Sequence, residues 1–312
     1  MIERTLPMEV TFLSLSYFQK IARTEHLGQA AAELHVAQPS LSRTIRNLEA
    51  ELGVPLFDHR GRNIVLNTYG KILLKYVDRI FLNLEGARQE ILDTAQMGGS
   101  IVSLSIYAAS KVIPSLLSAF RQEHPHIRFE IFQQDPSSGN SHTADLNLFS
   151  SIHPMDNEHT VTLLEEEIVL AIPKSDPRAQ AESLPLSAFA GDDFISLQPG
   201  KSLRTITDAF CSSAGFIPHI NLECDSPSTV RDFIRAGLGI SFVPCVTWSG
   251  VNDAHIALVH ISAPRCRRYI GLSWNADAYL SPSAMMVRDF FVAHFAEYSR
   301  AAANEVQSLP QL

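Results

Sequence analysis

Serine and arginine side chains repeat at helical spacing shortly after residue 38. Pro39, Ser42, Arg43 and Arg46 follow one another at i, i+3, i+4 and i+7, which places them on one face of an α-helix. An arginine side chain can form two hydrogen bonds with the edge of a base. The pattern predicts a helix that contacts nucleic acid, and its alternative is the ordinary solvated face of a three-helix bundle.

Three apolar stripes with helical spacing fill the first 52 residues. They predict three consecutive helices, of which the second is short and the third carries the Ser/Arg face on its solvent side. A short helix, a tight turn and a helix with a polar outer face are the layout of a helix-turn-helix. In helix order the apolar positions are Val10, Leu13, Tyr17 and Ile21, with Phe18 and Ala22 alongside; Leu27, Ala30, Ala31 and Leu34; and Leu41, Ile45, Leu48 and Leu52.

A basic turn follows the third helix. Residues 58–63 read Asp-His-Arg-Gly-Arg-Asn and precede the apolar run Ile64–Leu66, which predicts a β-hairpin wing with Gly61 at its tip. Positive charge would then lie on both the third helix and the wing, on either side of a DNA backbone. Ser40 and Arg62 would contact the DNA phosphates and so position the protein on the duplex. The predicted DNA-contacting residues are Gln38, Pro39, Ser40, Ser42, Arg43, Arg46, His59, Arg60 and Arg62.

Charge is distributed unevenly along the chain. The 312 residues carry a net charge of -8, which excludes a bulk polyanion binder. Residues 1–79 hold 10 Lys/Arg against 8 Asp/Glu, whereas residues 80–312 hold 15 against 25. Any nucleic-acid function must therefore lie on a local patch near the N-terminus.

Composition predicts a globular protein of about two domains. Hydrophobic residues make up 46% of the chain and charged residues 19%, and the chain has neither an apolar run that could span a membrane nor a signal peptide. The four cysteines include no C-x-x-C pair, so we expect unpaired thiols and a cytoplasmic location, with a Cys211–Cys224 redox pair left open.

The run from Ala30 to Glu49, followed by 52–57, resembles the winged helix-turn-helix of LysR-type transcriptional regulators. It departs from the family at His26 and Ala37, where serines are common, and at His59, where arginine is common in the wing. The first two departures predict weaker caps or phosphate contacts, and the third predicts a pH-dependent wing contact. The resemblance implies a sequence-specific, DNA-binding transcriptional regulator.

One long helix is predicted for residues 67–98, with Asn67 as its N-cap and Gly98-Gly99 at its end. A seam of apolar residues repeats every 3.5 residues and is typical of a coiled coil, although a broader apolar face would also fit burial against its own domain. We predict self-association, and the resemblance implies an antiparallel dimer helix. The predicted dimerisation residues are Leu73, Val77, Ile80, Leu84, Ala87 and Ile91.

Strands and helices alternate through residues 99–312, which predicts an α/β fold with mostly parallel sheets. Residues 226–244 resemble the effector domain of the same family, which is built like a periplasmic binding protein from two lobes joined by two crossing strands. The resemblance implies crossings near Ile172-Pro173 and Tyr269-Ile270, and 301–312 reads as a tail. The predicted boundaries are 1–66 for the winged helix-turn-helix, 67–98 for the linker helix, 99–312 for the effector domain, 100–172 and 269–300 for lobe one, and 173–268 for lobe two.

A small-molecule effector site is predicted in the cleft between the lobes. Ser110 is expected where a strand passes into a helix, with Lys111 beside it, because helix N-termini suit carboxylates and phosphates. Ser196, Gln198 and Arg204 could close on the same ligand from lobe two. The alternative is that Ser110 is only an N-cap and Arg204 only a surface charge.

The chain has no recognisable catalytic motif. It has no P-loop, G-x-S-x-G or H-E-x-x-H, and Gly237-Leu-Gly239 lacks the third glycine of a dinucleotide fingerprint. Glu165-Glu166-Glu167 reads as a solvated entry to a strand. We expect no enzyme activity and no cofactor or metal, with promoter DNA, a second copy as homodimer or homotetramer, the effector and RNA polymerase as partners. The alternative is a small-molecule-binding or hydrolytic α/β protein with a helical interaction head.

Overall fold

The computed structural model describes residues 10–60, 63–95, 100–132, 144–248, 254–276 and 278–307, without the side chains of 59–63 and 298–307. The chain divides into two compact units, residues 1–94 with 277–279, and residues 95–276 with 280–312. We call the first the head and the second the effector domain. Within the described residues, no helix combines the length and apolarity that a membrane crossing requires.

The head contains four helices and a β-hairpin in its described part. Its elements are α1 (Phe12–Thr24), α2 (Leu27–Glu33), α3 (Gln38–Leu52), β1 (Phe57–Arg60), β2 (Asn63–Leu66) and α4 (Thr68–Thr94). The three predicted helices and the hairpin are thus confirmed, although residues 58–60 belong to a strand rather than to the turn.

Helix α1 buries most of its predicted apolar residues but not Leu13. Leu13 is exposed, and Phe18, Ile21 and Ala22 face the core together with Leu15. A capping box between Thr11 and Ser14 starts the helix, with each backbone N–H donating to the other side chain at 3.1 Å. The prediction for Leu13 was wrong because Leu15, Phe18 and Ala22 centre the buried face, and Leu13 lies outside it.

Helix α2 has a better cap than its sequence predicts. His26 Nδ1 accepts a hydrogen bond from the Gln29 backbone N–H at 3.1 Å, so histidine replaces serine as a working N-cap. Ala37, in contrast, gives α3 no side-chain cap, as expected, and Pro39 occupies the first turn.

Helix α4 begins where the wing ends. Asn67 Oδ1 accepts from the Gly70 N–H at 2.9 Å, and Asn67 Nδ2 donates to the Pro55 carbonyl at 2.9 Å. A Cβ on Gly70 would lie 2.3 Å from the Leu56 carbonyl oxygen, so only glycine allows this close approach. The helix ends at Thr94, before the predicted stop at Gly98-Gly99, which lies outside the described residues.

The predicted seam of α4 divides into two parts. Val77 is fully buried in the head, and Leu73 packs against the same core. Val77 therefore cannot contact a partner helix, because it completes the head core, whereas the assignment of the half-buried Leu73 to a dimer interface stays a prediction. The remaining seam residues Ile80, Leu84, Ala87 and Ile91 are exposed.

The effector domain alternates strands and helices, as predicted. Its elements are β3 (Ile101–Ile106), α5 (Ile113–Glu123), β4 (Arg128–Phe132), β5 (Leu146–Ser151), β6 (Thr160–Pro173), β7 (Ser183–Leu184), β8 (Asp193–Leu197), α6 (Ser202–Ser213), β9 (His219–Cys224), α7 (Pro227–Arg235), β10 (Ser241–Pro244), β11 (Ile256–Ile261), β12 (Arg267–Ser273) and α8 (Pro282–Gln307). Helix α8 continues into the predicted tail.

The sheets are mixed rather than mostly parallel. The main sheet has the order β4-β3-β5-β12-β6-β11-β7, with β10 also paired to β6, while β8 and β9 form a separate parallel pair. Strand β12 runs antiparallel to β5 and β6, and β6 runs antiparallel to β10 and β11. The prediction failed because the two crossing strands, β6 and β12, run antiparallel to their neighbours, whereas a repeated strand-helix-strand unit would have made them parallel.

Two separate cores define the lobes. Leu164 and Ile270 belong to the core of lobe one, whereas Ile168 and Cys266 belong to that of lobe two. The first crossing therefore lies at residues 165–167 rather than near Ile172-Pro173. Proline marks the end of β6, not the boundary between the cores, so lobe one ends before residue 172.

Candidate functional site

Helix α3 presents a polar face to solvent. Leu41, Ile45 and Leu48 are buried in the head core, and the opposite face is exposed at Arg43 and Arg46. Of the other predicted DNA contacts on this helix, Gln38, Pro39 and Ser40 are exposed and Ser42 is half-buried. The buried leucine and isoleucine positions thus force the predicted residues outward together.

Two carboxylates connect the wing to helices α1 and α3. Glu49 Oε1 accepts from the Leu56 backbone N–H at 2.8 Å, and Glu25 Oε1 accepts from the Leu66 N–H at 3.1 Å. Glu25 sits in the left-handed turn that ends α1, with φ of 48°. Both ends of the hairpin are therefore fixed relative to the helices.

The wing is an antiparallel hairpin. His59 pairs with Ile64 and Arg60 pairs with Asn63 along its backbone. The side chains of His59 and Arg60, and all of Arg62, lie outside the described residues, so their predicted DNA contacts stay predictions.

A cavity with a volume of about 410 Å³ lies between the two lobes of the effector domain. A ligand pocket of several hundred Å³ suits a small metabolite. Lobe one contributes the turn after β3 and Phe149, lobe two contributes the segments that start α6 and α7 together with Trp248, and β12 contributes Arg268. Residues far apart in the chain therefore meet around one space.

Two helix N-termini lie at this cavity. Helix α6 begins at Ser202, whose hydroxyl is 2.9 Å from the Ser150 hydroxyl on lobe one. Helix α7 is capped by Ser226, whose Oγ accepts from the Thr229 N–H at 3.4 Å. Free N–H groups and partial positive charge at helix starts favour an anionic ligand.

Ser110 is the predicted effector residue that lines the cavity. It lies in a turn before α5, which begins at Ile113 rather than at Ser110 itself. The backbone at Ala109 adopts a left-handed conformation with φ of 59°, and its carbonyl accepts from the Val112 N–H at 2.9 Å. Lys111 is exposed and is not among the lining residues.

The lobe-two residues predicted to meet the ligand do not line this cavity. Arg204 donates to Asp208 at 2.7 Å, Glu223 at 2.8 Å and the Leu197 carbonyl at 3.1 Å, so its guanidinium is held by lobe two itself. Ser196 lines a smaller pocket together with Arg204, and Gln198 is exposed. The sequence pattern correctly placed these residues near the end of a strand, but it could not predict which way their side chains point.

The lining residues that were not predicted from the sequence include Lys201, Ser202, Ser226 and Arg268. The turn Pro199-Gly200 and the Ser226-Pro227 pair are recognisable helix-start signals, so the sequence could have predicted that Ser202 and Ser226 lie at helix N-termini. Arg268 was not, because its partner lies about a hundred residues away.

Glu166 is buried, which contradicts the interpretation of residues 165–167 as a solvated strand entry. It is 2% exposed, and its Oε1 accepts from Arg268 Nε at 2.8 Å. The neighbouring Glu165 pairs with Arg267 at 2.9 Å, and Glu167 contacts His260 Nδ1 at 2.9 Å. A strand with alternating sides buries the middle glutamate while its neighbours face outward.

The four cysteines are free thiols, and three are buried. Burial raises the pKa of Cys211, Cys245 and Cys266 to about 12, which keeps these thiols protonated and unreactive near neutral pH. Cys224, the other member of the pair left open, also has a pKa raised by burial. Among the described residues, no group of three or more His, Cys, Asp and Glu side chains could hold a metal ion.

Known proteins match both parts of the chain. Residues 12–71 match the family described as "Bacterial regulatory helix-turn-helix protein, lysR family", and residues 101–296 match "LysR substrate binding domain". Two curated relatives come from Bacillus subtilis. The uncharacterized HTH-type transcriptional regulator YybE is 36% identical, over 91% of this chain and 98% of its own, and the transcriptional dual regulator GltC is 30% identical, over 91% and 97%.

Solved structures share the fold. An OxyR C206 mutant from Corynebacterium glutamicum is 25% identical, with a TM-score of 0.57 and 96% of each chain covered. Full-length CbnR in complex with its target DNA is 20% identical, with a TM-score of 0.58, over 93% of this chain and 100% of its own. The effector-binding domain of QuiR in complex with shikimate is 22% identical, with a TM-score of 0.54, over 64% and 99%.

A winged helix-turn-helix head joined to a two-lobed effector domain defines a ligand-responsive, DNA-binding transcriptional regulator rather than an enzyme. The two family matches together cover most of the sequence. The chain belongs to the LysR family of bacterial transcriptional regulators.

Arg43→Ala should reduce operator affinity by about 1–3 kcal/mol and relax preference at one base pair, because arginine can bind a guanine edge through two hydrogen bonds. Fluorescence anisotropy on operator and random duplexes measures both effects. Arg121→Ala, which removes the same charge from the exposed face of α5, serves as control. Equal losses on both duplexes, or an equal loss in the control, would contradict base recognition by Arg43.

Proposed function

We propose that this protein controls transcription in the cytoplasm as a homo-oligomer whose α3 helices read a promoter in the major groove. The observation that carries this proposal is the outward polar face of α3 opposite Leu41, Ile45 and Leu48. The DNA complex of CbnR, which has the same fold, supports it. Residues 1–66 would bind DNA, 67–98 would pair subunits, and 99–312 would sense the effector and contact RNA polymerase.

Footprinting on DNA that flanks the protein's own gene tests this proposal. A dimer should protect two half-sites separated by a whole number of helical turns, roughly 10 base pairs each, because the two heads are related by two-fold symmetry. Affinity should fall as salt rises, since phosphate contacts release counterions. Protection of random DNA with the same salt dependence would contradict sequence-specific regulation.

The exposed face of α4 supports self-association. Ile80, Leu84, Ala87 and Ile91 continue along a stripe that also carries Tyr69, Ile72 and Tyr76, all exposed. An exposed apolar stripe of this length marks an interaction surface in a water-soluble unit. The second α4 of a dimer would cover it.

Replacing both Ile80 and Leu84 with Glu should prevent dimer formation, because two like charges from each subunit would meet in an apolar seam. DNA affinity should also fall, since a single head loses the avidity of a linked pair. Sedimentation velocity measures the oligomeric state. Lys71→Glu changes the net charge by the same amount on an exposed position half a turn away around the helix, and it should remain oligomeric. If the double variant remained oligomeric, the subunit interface would not be the exposed face of α4.

The cavity between the lobes is the proposed effector site, and an anionic metabolite suits it. The starts of α6 and α7 and the side chains of Lys201 and Arg268 supply positive charge, while Asp225 is the acidic residue among the described lining. QuiR, which shares this fold, binds shikimate in its effector domain. No cofactor is needed for this role.

Ser110→Ala should leave DNA binding intact and abolish the rise in melting temperature that a cavity-binding metabolite produces in the parent. Thermal unfolding with a metabolite found by screening measures the effect. Ser196→Ala is the matched control, because Ser196 lies outside the cavity and should keep the response. If Ser110→Ala kept the full rise in melting temperature, or if Ser196→Ala lost it, the effector would not bind in this cavity next to Ser110.

A further inference from the structure

Arg268 is a buried cation that nevertheless lines the cavity between the lobes. It is 2% exposed, its Nε donates to Glu166 Oε1 at 2.8 Å, and its Nη2 donates to Thr247 Oγ1 at 2.7 Å. Throughout the described part of the chain, no residue accepts a hydrogen bond from Nη1. A guanidinium has five N–H donors. Nη1 is not an enclosed atom, so its two N–H groups are accessible from the cavity that Arg268 lines.

Glu166 already accepts as many hydrogen bonds as its two oxygens readily hold. Its Oε1 accepts from Arg268 and from the Thr247 hydroxyl at 2.9 Å, and its Oε2 accepts from the backbone N–H groups of Val246 at 3.1 Å and Thr247 at 2.8 Å. An ionised carboxylate offers about four lone-pair sites, and all four are used. Glu166 therefore leaves Nη1 available to whatever occupies the cavity, whether solvent or a ligand.

The other lining charges indicate the class of that acceptor. Lys201 and Arg268 are the cationic side chains of the described lining, and Asp225 is its carboxylate. The starts of α6 and α7 add partial positive charge. An anionic oxygen next to Arg268 would form a charge-assisted hydrogen bond, which is about twice as strong as a neutral one.

We propose that Arg268 is the residue that recognises a carboxylate group of the effector, an inference that rests on the proposed effector cavity. Arg268 and Glu166 face each other on β12 and β6, where both strands cross between the lobes. A carboxylate bound to Nη1 is thus attached directly to the pair that joins the lobes. Ligand charge is sensed at the crossing rather than only at the helix N-termini.

The test uses thermal unfolding and titration of the full-length protein with succinate, glutarate and cyclohexanecarboxylate, each compared with its primary amide. At least one carboxylate should raise the melting temperature of the parent, and its amide should not. Arg268→Gln should weaken that carboxylate about tenfold, the loss of one charge-assisted hydrogen bond. Arg204→Gln is the matched control, because Arg204 is likewise held in ion pairs, with Asp208 and Glu223, but does not line this cavity.

Glu166→Gln separates recognition from structural support. It removes a negative charge next to Arg268 without removing the donor Nη1, so an anionic ligand should bind more tightly, the opposite of Arg268→Gln. The double variant Glu166→Gln/Arg268→Gln has no uncompensated buried charge and should fold, as near-UV circular dichroism can verify, while still failing to bind the carboxylate. A purely structural pair would weaken binding in both single variants, and that result would overturn the proposal.

Two further outcomes distinguish this inference from the proposed function. If the parent binds its operator but none of the three carboxylates stabilises it, or if the amides stabilise it equally, carboxylate recognition by Arg268 is overturned and the role in transcription stands. If the parent binds no operator while the carboxylate effects follow the expected pattern, the role in transcription fails and the assignment of Arg268 stands.

Discussion

The buried ion pair between Glu166 and Arg268 fixes the geometry on which the effector domain depends. The two residues are direct partners in the β6–β12 ladder, and side chains two residues away on either strand enter different cores, Leu164 and Ile270 in lobe one, Ile168 and Cys266 in lobe two. Burying two charges is costly unless each is well hydrogen-bonded, and removing one partner costs about 3–5 kcal/mol. The four donors around Glu166 meet that requirement, so the pair sets the register of the crossing strands and hence where each lobe begins.

The position of the cavity follows from that register. Once both strands cross at the ion pair, the turn after β3 faces the starts of α6 and α7, and Ser150 and Ser202 come within hydrogen-bond distance across the lobes. The local sequence supplies the helix starts, but the crossing makes them converge. Arg204 illustrates the difference, since it lies in the first turn of α6 and is nevertheless committed to Asp208 and Glu223.

In the head, the burial of one face of each helix decides which residues are exposed. A helix of the length of α3 can bury only one stripe, so Leu41, Ile45 and Leu48 decide that Arg43 and Arg46 face solvent. In α4 one helix serves two surfaces in turn. Its first three turns complete the head core through Val77, and the later turns expose Ile80, Leu84 and Ile91. A seam that looks continuous in sequence therefore has two residues packed in the head core and four on the exposed surface.

The sequence by itself determined the helices of the head, the outward face of α3, the long helix and the α/β alternation, because these depend on spacing along a few turns of chain. The resemblance to LysR regulators supplied the two-lobed design. Only the tertiary structure decided the exposure of Leu13, the burial of Val77 and Glu166, the antiparallel crossing strands and the place of Arg204 and Arg268. Each of these depends on contacts between residues far apart in the chain, 102 positions in the case of Glu166 and Arg268. Local spacing tells which side chains share a face, but burial is decided by what that face meets.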